Sequence, residues 1–439
     1  MSARLTEAGE KAKLRSIELF AGCGGLALGL HRAGWHGLFA VERDPMAFET
    51  LAANLVKEDA PYRAFESWPE WMPKASTDLI KFLEDKALCA ELRKLRGTVD
   101  LVAGGPPCQG FSVGGKRDGA DDRNALVYRM LDFVEIVQPR AVLIENVEGI
   151  ARRFVSKPGT TGSCVAEDVI AKLEDLGYIA SYHLINSANF GVPQARRRVA
   201  IIGVLAAGMS RDCLHDLTAA ALELAAKQTR IEHGLPVKGE ISVEDAIGDL
   251  AGDSLIPCPD SPGFMAGAYG PPKSAYAKLM REGVAKGTHP NSHRMSKHGP
   301  TVRALYELAH ASQRPGRLTK EFLLQNGTKK DKKVLLDRTA VVSTITTHPD
   351  EYIHYLYPRN ITVREMARLQ SFPDRFTFHG RYTINGPRRR FDVARCSQVG
   401  NAVPPLMGEG LGRAIIDLLR EVDETKVKPK TKGRAKVNA

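Results

Sequence analysis

From residue 14 to about 204 the chain alternates short apolar runs with amphipathic segments, and this rhythm constrains the fold more than any other feature. Short apolar runs separated by stretches long enough to cross a sheet specify parallel strands covered on both faces. The runs "LRSIELF" (14–20), "HGLFAVE" (36–42), "VDLVA" (99–103), "AVLIE" (141–145), "IASYHLI" (179–185) and "RVAIIGV" (198–204) read as strands. "GLALGLHRAG" (25–34), "NALVYRMLDFVEIVQ" (124–138) and "VAEDVIAKLEDLG" (165–177) read as helices, each closed by a glycine or stopped before a proline. The expected class is a doubly wound α/β domain over residues 14–205. Such sheets bind ligands beyond the carboxyl ends of their strands, where "ELFAGCGG", "AVERD", "AGGPPCQG" and "IENVEG" would converge.

Beyond about residue 205 the rhythm is lost. An amphipathic stretch (216–228) leads into a Gly/Pro-rich region (258–276) and then a basic one, where Arg294 to Lys333 hold ten Lys/Arg against three acids. A stretch of that kind can track a phosphate backbone. A smaller irregular domain is expected over 206–390, with a variable part at about 206–340 and a motif-bearing part at about 341–390. Within the latter, Thr362 and Glu365 have capping-box spacing, so a helix should begin there and end before Pro373. Residues 391–422, with a helix at about 405–421, return to the first domain. The tail 423–439 is expected to be disordered, because from Lys426 onward it holds six basic residues and no acid.

Composition excludes several classes. Seven cysteines, odd in number, scattered and never in a C-x-x-C pair, argue against a disulfide framework and a zinc site. No apolar run approaches the roughly 18 residues of a membrane span, and no secretory leader opens the chain, so a cytoplasmic protein is expected. The net charge of +11 is weak evidence for a partner, because the tail carries much of it.

The first strand end, "FAGCGGLA", fits G-x-G-x-x-A between strand and helix, and Glu42 closes the next strand twenty residues after Gly22. Glycines there let a ligand approach the backbone, and the acid accepts from ribose hydroxyls. This supports an adenosine-type cofactor; alone, it fits a nicotinamide dinucleotide equally well. "GFSVGGK" matches the start of a phosphate-binding loop, but Arg117 stands where a magnesium-holding hydroxyl belongs. A loop over 109–123 that closes on a substrate is the better reading.

Cys108 follows a strand behind Pro106-Pro107, at an edge where backbone N–H groups can stabilise a thiolate nucleophile. Glu145, at a neighbouring strand end, can exchange a proton with a bound heterocycle, although a helix N-terminal acid is its plainer reading. In "PQARRRVAIIG", strand alternation points Arg196 and Arg198 the same way, as two guanidinium forks for a phosphate or a base carbonyl. His289, His293 and His298 have loose metal-like spacing without the cysteines or H-E-x-x-H pattern of a site, so no metal is expected.

Taken in order, "ELFAGCGGLALGL", "VERDP", "GGPPCQGFS", "ENVEGI", "QARRR", "REMARLQSFPD" and "QVGNAVPP" resemble the successive signatures of the bacterial DNA cytosine-5 methyltransferases. The resemblance spans 16–412 apart from the variable part. It implies a Rossmann-like S-adenosylmethionine-dependent methyltransferase domain joined to a smaller target-recognition domain. For the cofactor it implies Phe20, Gly22, Gly24 and Gly25 around S-adenosylmethionine, Glu42 on its ribose, Pro107 bordering it and Asn401 returning to the same pocket. For the base it implies Cys108 as nucleophile, Glu145 at N3 and the amino group, and Arg198 at O2. Arg196 belongs to the same catalytic set, Gln194 helps organise the site, and Gln109, Gly110 and Ser112 lie on the substrate loop. The partner implied is double-stranded DNA in the nucleoid, with a cognate restriction endonuclease left open. RNA methylation by a related branch is the nearest alternative. One departure stands out: the short Asp-containing motif that usually meets the adenine amino group is replaced by a long segment, about 61–97, in which Glu66 or Ser67 are the nearest substitutes.

The chemistry explains the residue types. Carbon 5 of cytosine is a poor nucleophile, and addition of a thiolate at C6 turns the ring into an enamine. Charge building on the ring needs a donor at N3, the role implied for Glu145. Because both carbons are shielded in stacked duplex, the base must swing out to react.

Overall fold

The structure is a computed structural model that describes residues 13–107, 125–153, 164–206, 208–252, 254–328, 332–383 and 392–427. Cys108, Gln109, Gly110, Ser112 and the rest of the 109–123 loop lie outside the described residues, as does the tail beyond 427.

The first part of the chain runs β1 (Arg15–Leu19), α1 (Gly25–Arg32), β2 (His36–Val41), α2 (Pro45–Leu51), α3 (Leu79–Glu84), α4 (Lys86–Lys94), β3 (Leu101–Gly104), α5 (Ala125–Val137), β4 (Ala141–Val147), α6 (Val165–Asp175), β5 (Ile179–Asn186), β6 (Gln194–Ala195) and β7 (Arg197–Val204). Six of these strands form one sheet in the order β2-β1-β3-β4-β7-β5. The four strands from β2 to β4 pair in parallel. The sheet is not parallel throughout, because β7 inserts antiparallel between β4 and β5. The short connection from β5 to β7 explains this departure: it has no room for a crossover helix, so the strand must return antiparallel. Strand interiors such as Val102, Val142, Leu143 and Ile201 are wholly buried, as expected of a sheet covered on both faces.

The segment between α2 and β3 has a visible purpose. β2 is an edge strand, and unpaired edges invite aggregation. Ala64 accepts from Gly37 N–H at 3.1 Å, while Trp68 and Trp71 pack edge-on against Phe39 at 6.4 and 5.4 Å between ring centres. The chain then returns along β2, and Thr77 N–H donates to the Glu42 carbonyl at 2.7 Å.

The second part runs α7 (Arg211–Glu232), α8 (Val243–Ile247), β8 (Leu255–Pro257), β9 (Met265–Gly267), α9 (Ala275–Met280), α10 (Pro300–Ser312), β10 (Gly316–Arg317), α11 (Lys320–Gln325), β11 (Val334–Leu335), β12 (Val342–Ser343), β13 (Tyr352–Ile353), α12 (Val363–Leu369), α13 (Arg395–Asn401) and α14 (Pro405–Val427). Packing does not break at residue 206. α7 lies against β5 and α14, and Leu214, Leu222, Ile247 and Tyr276 belong to the main core. A separate small core gathers Leu305, Tyr306, Phe322, Leu335 and Ile353. α14 extends to Val427, so residues 423–427 are helical rather than part of a disordered tail. It crosses α1 at small residues: a Cβ on Gly29 would meet Glu409 N at 2.6 Å.

The capping box at α12 is formed, with Thr362 accepting from Glu365 N–H and Glu365 accepting from Thr362 N–H. Every residue of this helix is buried, and its charges are paired internally. Arg368, fully buried, binds Asp374 at 2.6 Å and Asp249 at 3.0 Å. Arg359 holds Glu365 at 2.6 Å within the motif-bearing part, while the Asp249 pair ties the recognition region to this helix.

Candidate active site

At the end of β1 the chain turns through Phe20, whose φ of 54° is left-handed, and Gly22, whose φ is 56°. Strain at a non-glycine residue persists where the surroundings over-determine it, commonly at a ligand site. Gly22 N–H donates to Glu42 Oε2 at 2.8 Å, and Asp44 N–H donates to Oε1 at 2.7 Å. Burial pushes the Glu42 carboxyl up, and these two donors oppose that shift. The turn and the acid are therefore one unit.

The three glycines of this turn do different work. A Cβ on Gly22 would meet nothing within 4 Å, so its open side can face a ligand. A Cβ on Gly24 would meet Leu55 at 2.6 Å, and one on Gly25 would meet Val403 O at 2.3 Å. Gly24 and Gly25, expected at the cofactor, also allow close packing: they seat α1 against the helical turn after α2 and against the lead-in to α14. Asn401 lies beside this junction, exposed at the end of α13.

Sequence reasoning missed Glu18, two residues before Phe20. It is buried, Oε2 has no hydrogen-bond partner, and burial followed by the neighbouring Glu42 pushes its carboxyl up, which favours the neutral form. Cys23, also in this turn, is buried with its thiol pushed up by burial, which suits structure rather than nucleophilic attack. The two nearest substitutes for the adenine-binding acid lie away from Glu42. Glu66 and Ser67 follow Ala64, which pairs with the start of β2, so they sit at the wrong end of the strand. The residues that reach Glu42 are those around Thr77, and Asp78 lies next to them, 3.9 Å from Arg43.

The ends of β3 and β4 meet at the second half of the site. β3 pairs with β4 as far as Gly104 and Ile144. Asn146 Nδ2 then donates to the Pro106 carbonyl at 3.0 Å, a contact the sequence reading did not single out. It ties the rigid Pro-Pro lead-in to the strand that carries Glu145. Pro106 is buried and Pro107 exposed. A Cβ on Gly105 would stand 3.4 Å from Glu145 Oε2, so the missing side chain leaves room beside that carboxylate.

The two arginines expected to act together are separated. Arg198 Nε lies 3.2 Å from Glu145 Oε1. The contact is an ion pair rather than an aligned hydrogen bond, and Oε1 remains buried without a hydrogen-bond partner. Arg196 precedes β7 and turns inward, donating to Gly400 O at 3.0 Å and to Ile345 O at 3.5 Å. Its hydrogen bonds go to these main-chain carbonyls and not to the carboxylate. Burial holds its guanidinium below the ordinary range. Arg197 pairs with Glu148 at 3.0 Å.

Gln194 is wholly buried, and both ends of its amide are hydrogen-bonded. Its Oε1 accepts from Ile345 N–H at 2.7 Å, and its Nε2 donates to Gln370 Oε1 at 2.7 Å. Gln370 Nε2 donates onward to Val399 O at 2.7 Å, two residues before Asn401. Of the three histidines with metal-like spacing, His293 is consumed by Thr362 and Leu250, and His298 accepts from Asn360 N–H.

A Rossmann-like sheet with an acid fixed at one strand end and a carboxylate–arginine pair at another is the framework of an adenosine-type cofactor site beside a polar substrate pocket. The model of the C-5 cytosine-specific DNA methylase family matches residues 14–417, and the chain belongs to that family. The type II methyltransferase M.AgeI of Thalassovita gelatinovora is 30% identical, over 92% of this chain and 99% of its own length. M.DdeI of Desulfomicrobium norvegicum is 29% identical, over 91% and 88%. A solved structure described as a prophage-encoded DNA modification methyltransferase of E. coli matches with a TM-score of 0.63 at 24% identity, covering 93% of this chain and 99% of that one, which supports the fold. The protein is thus a DNA cytosine-5 methyltransferase that takes its methyl group from S-adenosylmethionine. Among the described residues no helix is long and apolar enough to cross a membrane.

Proposed function

We propose that the protein methylates C5 of a cytosine swung out of duplex DNA at one short sequence, through a covalent bond between Cys108 and C6. The observation that carries this reading is the Asn146–Pro106 contact, which joins the residues leading into Cys108 to the strand bearing Glu145.

Phe20, Gly22 and Glu42 fit S-adenosylmethionine: the glycine side is open, and the acid is fixed by two backbone donors for acceptance from ribose hydroxyls. Asp78, next to Thr77 and capping α3, is the acid assigned to the adenine in this reading, with Pro107 and Asn401 as further borders. Bound there, S-adenosylmethionine supplies an electrophilic methyl group. The chain's own work is to make carbon 5 of the base a nucleophile for it.

Cys108 thiolate adds to C6 and pushes electron density toward C5 and N3. Glu145 shares a proton with N3, and Arg198, already at that carboxylate, turns its fork to O2. Once C5 carries the methyl group, its proton leaves to a base, the C6–S bond breaks, and the thiolate is restored. Gln109, Gly110 and Ser112 belong to the loop that closes on the extruded base, where the cost of unstacking is a few kcal/mol.

Full-length similarity to type II methyltransferases supports a role in restriction-modification; a cognate endonuclease as partner and the cytoplasmic nucleoid as the place of action complete this reading. Residues after α7, together with the small core from Leu305 to Ile353, form the target-recognition part. The test is transfer of labelled methyl groups to plasmid DNA beside transfer RNA. Labelling of plasmid alone supports this reading, and labelling of RNA alone overturns it.

A further inference from the structure

A ladder of cations and rings stands on the recognition side of the sheet's carboxyl edge. The Arg294 guanidinium lies 4.2 Å from the ring centre of Phe264 and 4.1 Å from that of Tyr382. Lys297 Nζ is 4.9 Å from the Phe264 centre, and Arg395 is 4.3 Å from the Tyr382 centre. The charges are not equally satisfied. Asp260 accepts from Arg395 Nη1 at 2.5 Å and, through its other oxygen, from the Tyr382 hydroxyl. Arg294 donates to the neutral Ser261 hydroxyl at 3.1 Å. Among the described residues neither Arg294 nor Lys297 forms an ion pair with a carboxylate.

The ladder is joined to the active-site edge. Arg395 Nε donates to Gly380 O at 2.9 Å, and Gly380 packs against Met46 so closely that a Cβ would stand 2.8 Å from the sulfur. Val393 N–H donates to Asp44 Oδ2 at 3.1 Å, two residues after the ribose-type acid Glu42. Lys297 is exposed and Arg294 half-buried, so both can reach an anion beside that edge.

Rings hold a cation in place without neutralising it. A guanidinium fixed between two rings has already lost its side-chain freedom and keeps its donors for a fork-shaped anion. We propose that Arg294 and Lys297 form a clamp on backbone phosphates of the duplex substrate, fixing the register of the DNA without reading its sequence. This rests on the assignment of duplex DNA as substrate.

The clamp has a signature in salt. Each phosphate neutralised contributes about 0.9 to the slope of log affinity against log salt. Duplex binding is measured between about 0.05 and 0.2 M salt for wild type, Lys297→Gln, Arg294→Lys and Arg294→Ala, with cofactor affinity as the check on folding. Lys297→Gln and Arg294→Ala should each reduce the slope by about one and weaken binding about tenfold near 0.1 M salt. The sequence methylated and the cofactor affinity should stay unchanged, and Arg294→Lys should keep most of the slope. An unchanged slope in Lys297→Gln overturns the clamp, as does a changed target sequence, which would mark a base contact. Wild type that methylates no duplex DNA would instead overturn the substrate assignment on which the clamp rests.

Discussion

Arg196 and Arg198 are two residues apart, yet Arg196 donates to main-chain carbonyls distant in the chain, whereas Arg198, besides its hydrogen bond to the Arg197 carbonyl, pairs with the Glu145 carboxylate. Their replacements should therefore fail differently. Arg198→Met should lower kcat by roughly 10²-fold with little change in melting temperature, as loss of a transition-state contact does. Arg196→Met should lower the melting temperature by several degrees, because removing it leaves Gly400 O and Ile345 O without their donor. Glu145→Gln should reduce turnover about 10²-fold or more at near-normal cofactor affinity, and an unchanged rate would make Glu145 a structural acid. Single-turnover kinetics beside thermal melts check all three. Motif residues such as Glu42 and Glu145 were legible in the sequence because strand ends place them. The split between the arginines was not, because period-two alternation applies only inside a strand and Arg196 precedes β7. The close packing at Gly24 and Gly25 was not legible for a related reason: a Cβ there would meet Leu55 and Val403, the latter far away in the chain.

At the scale of elements, local rules worked where the code is local. The T-x-x-E spacing of α12 became a capping box, and Thr362→Ala should cost about 1 kcal/mol in urea unfolding. The antiparallel β7 and the relay from Gln194 through Gln370 to Val399 depend on pairings distant in sequence. Behind α12 lies a pH-sensitive cluster. Burial pushes His354 down from 6.5 to about 3, and the Arg359 guanidinium and neighbouring histidines hold Glu365 below the usual carboxylate range against its burial. Between those two His354 values the native state binds fewer protons than the unfolded chain. Stability should therefore be fully present above pH 6.5 and fall as pH drops toward 3, and Glu365 adds a loss of the same sign further into acid. Urea midpoints measured across that window should flatten in His354→Gln; a slope equal to that of wild type would remove His354 from the account.

At the scale of the whole molecule, the doubly wound core was legible because apolar periodicity reports burial directly. The domain boundary was less so, because amphipathic α7 reads alike whether its partner is the sheet or a second domain. Since α7 packs on β5 and α14, an exchange of recognition parts with a relative should begin after α7. Such a chimera should stay folded and methylate the relative's sequence, whereas an exchange that includes α7 should lose solubility; sequencing of methylated plasmid tests both. The most direct measurement is bisulfite sequencing of plasmid DNA incubated with S-adenosylmethionine and either the wild-type protein or Cys108→Ala. Protected cytosines confined to one short sequence with wild type, and none with Cys108→Ala at unchanged cofactor affinity, are the expected result. Protection that persists in Cys108→Ala would contradict the covalent mechanism.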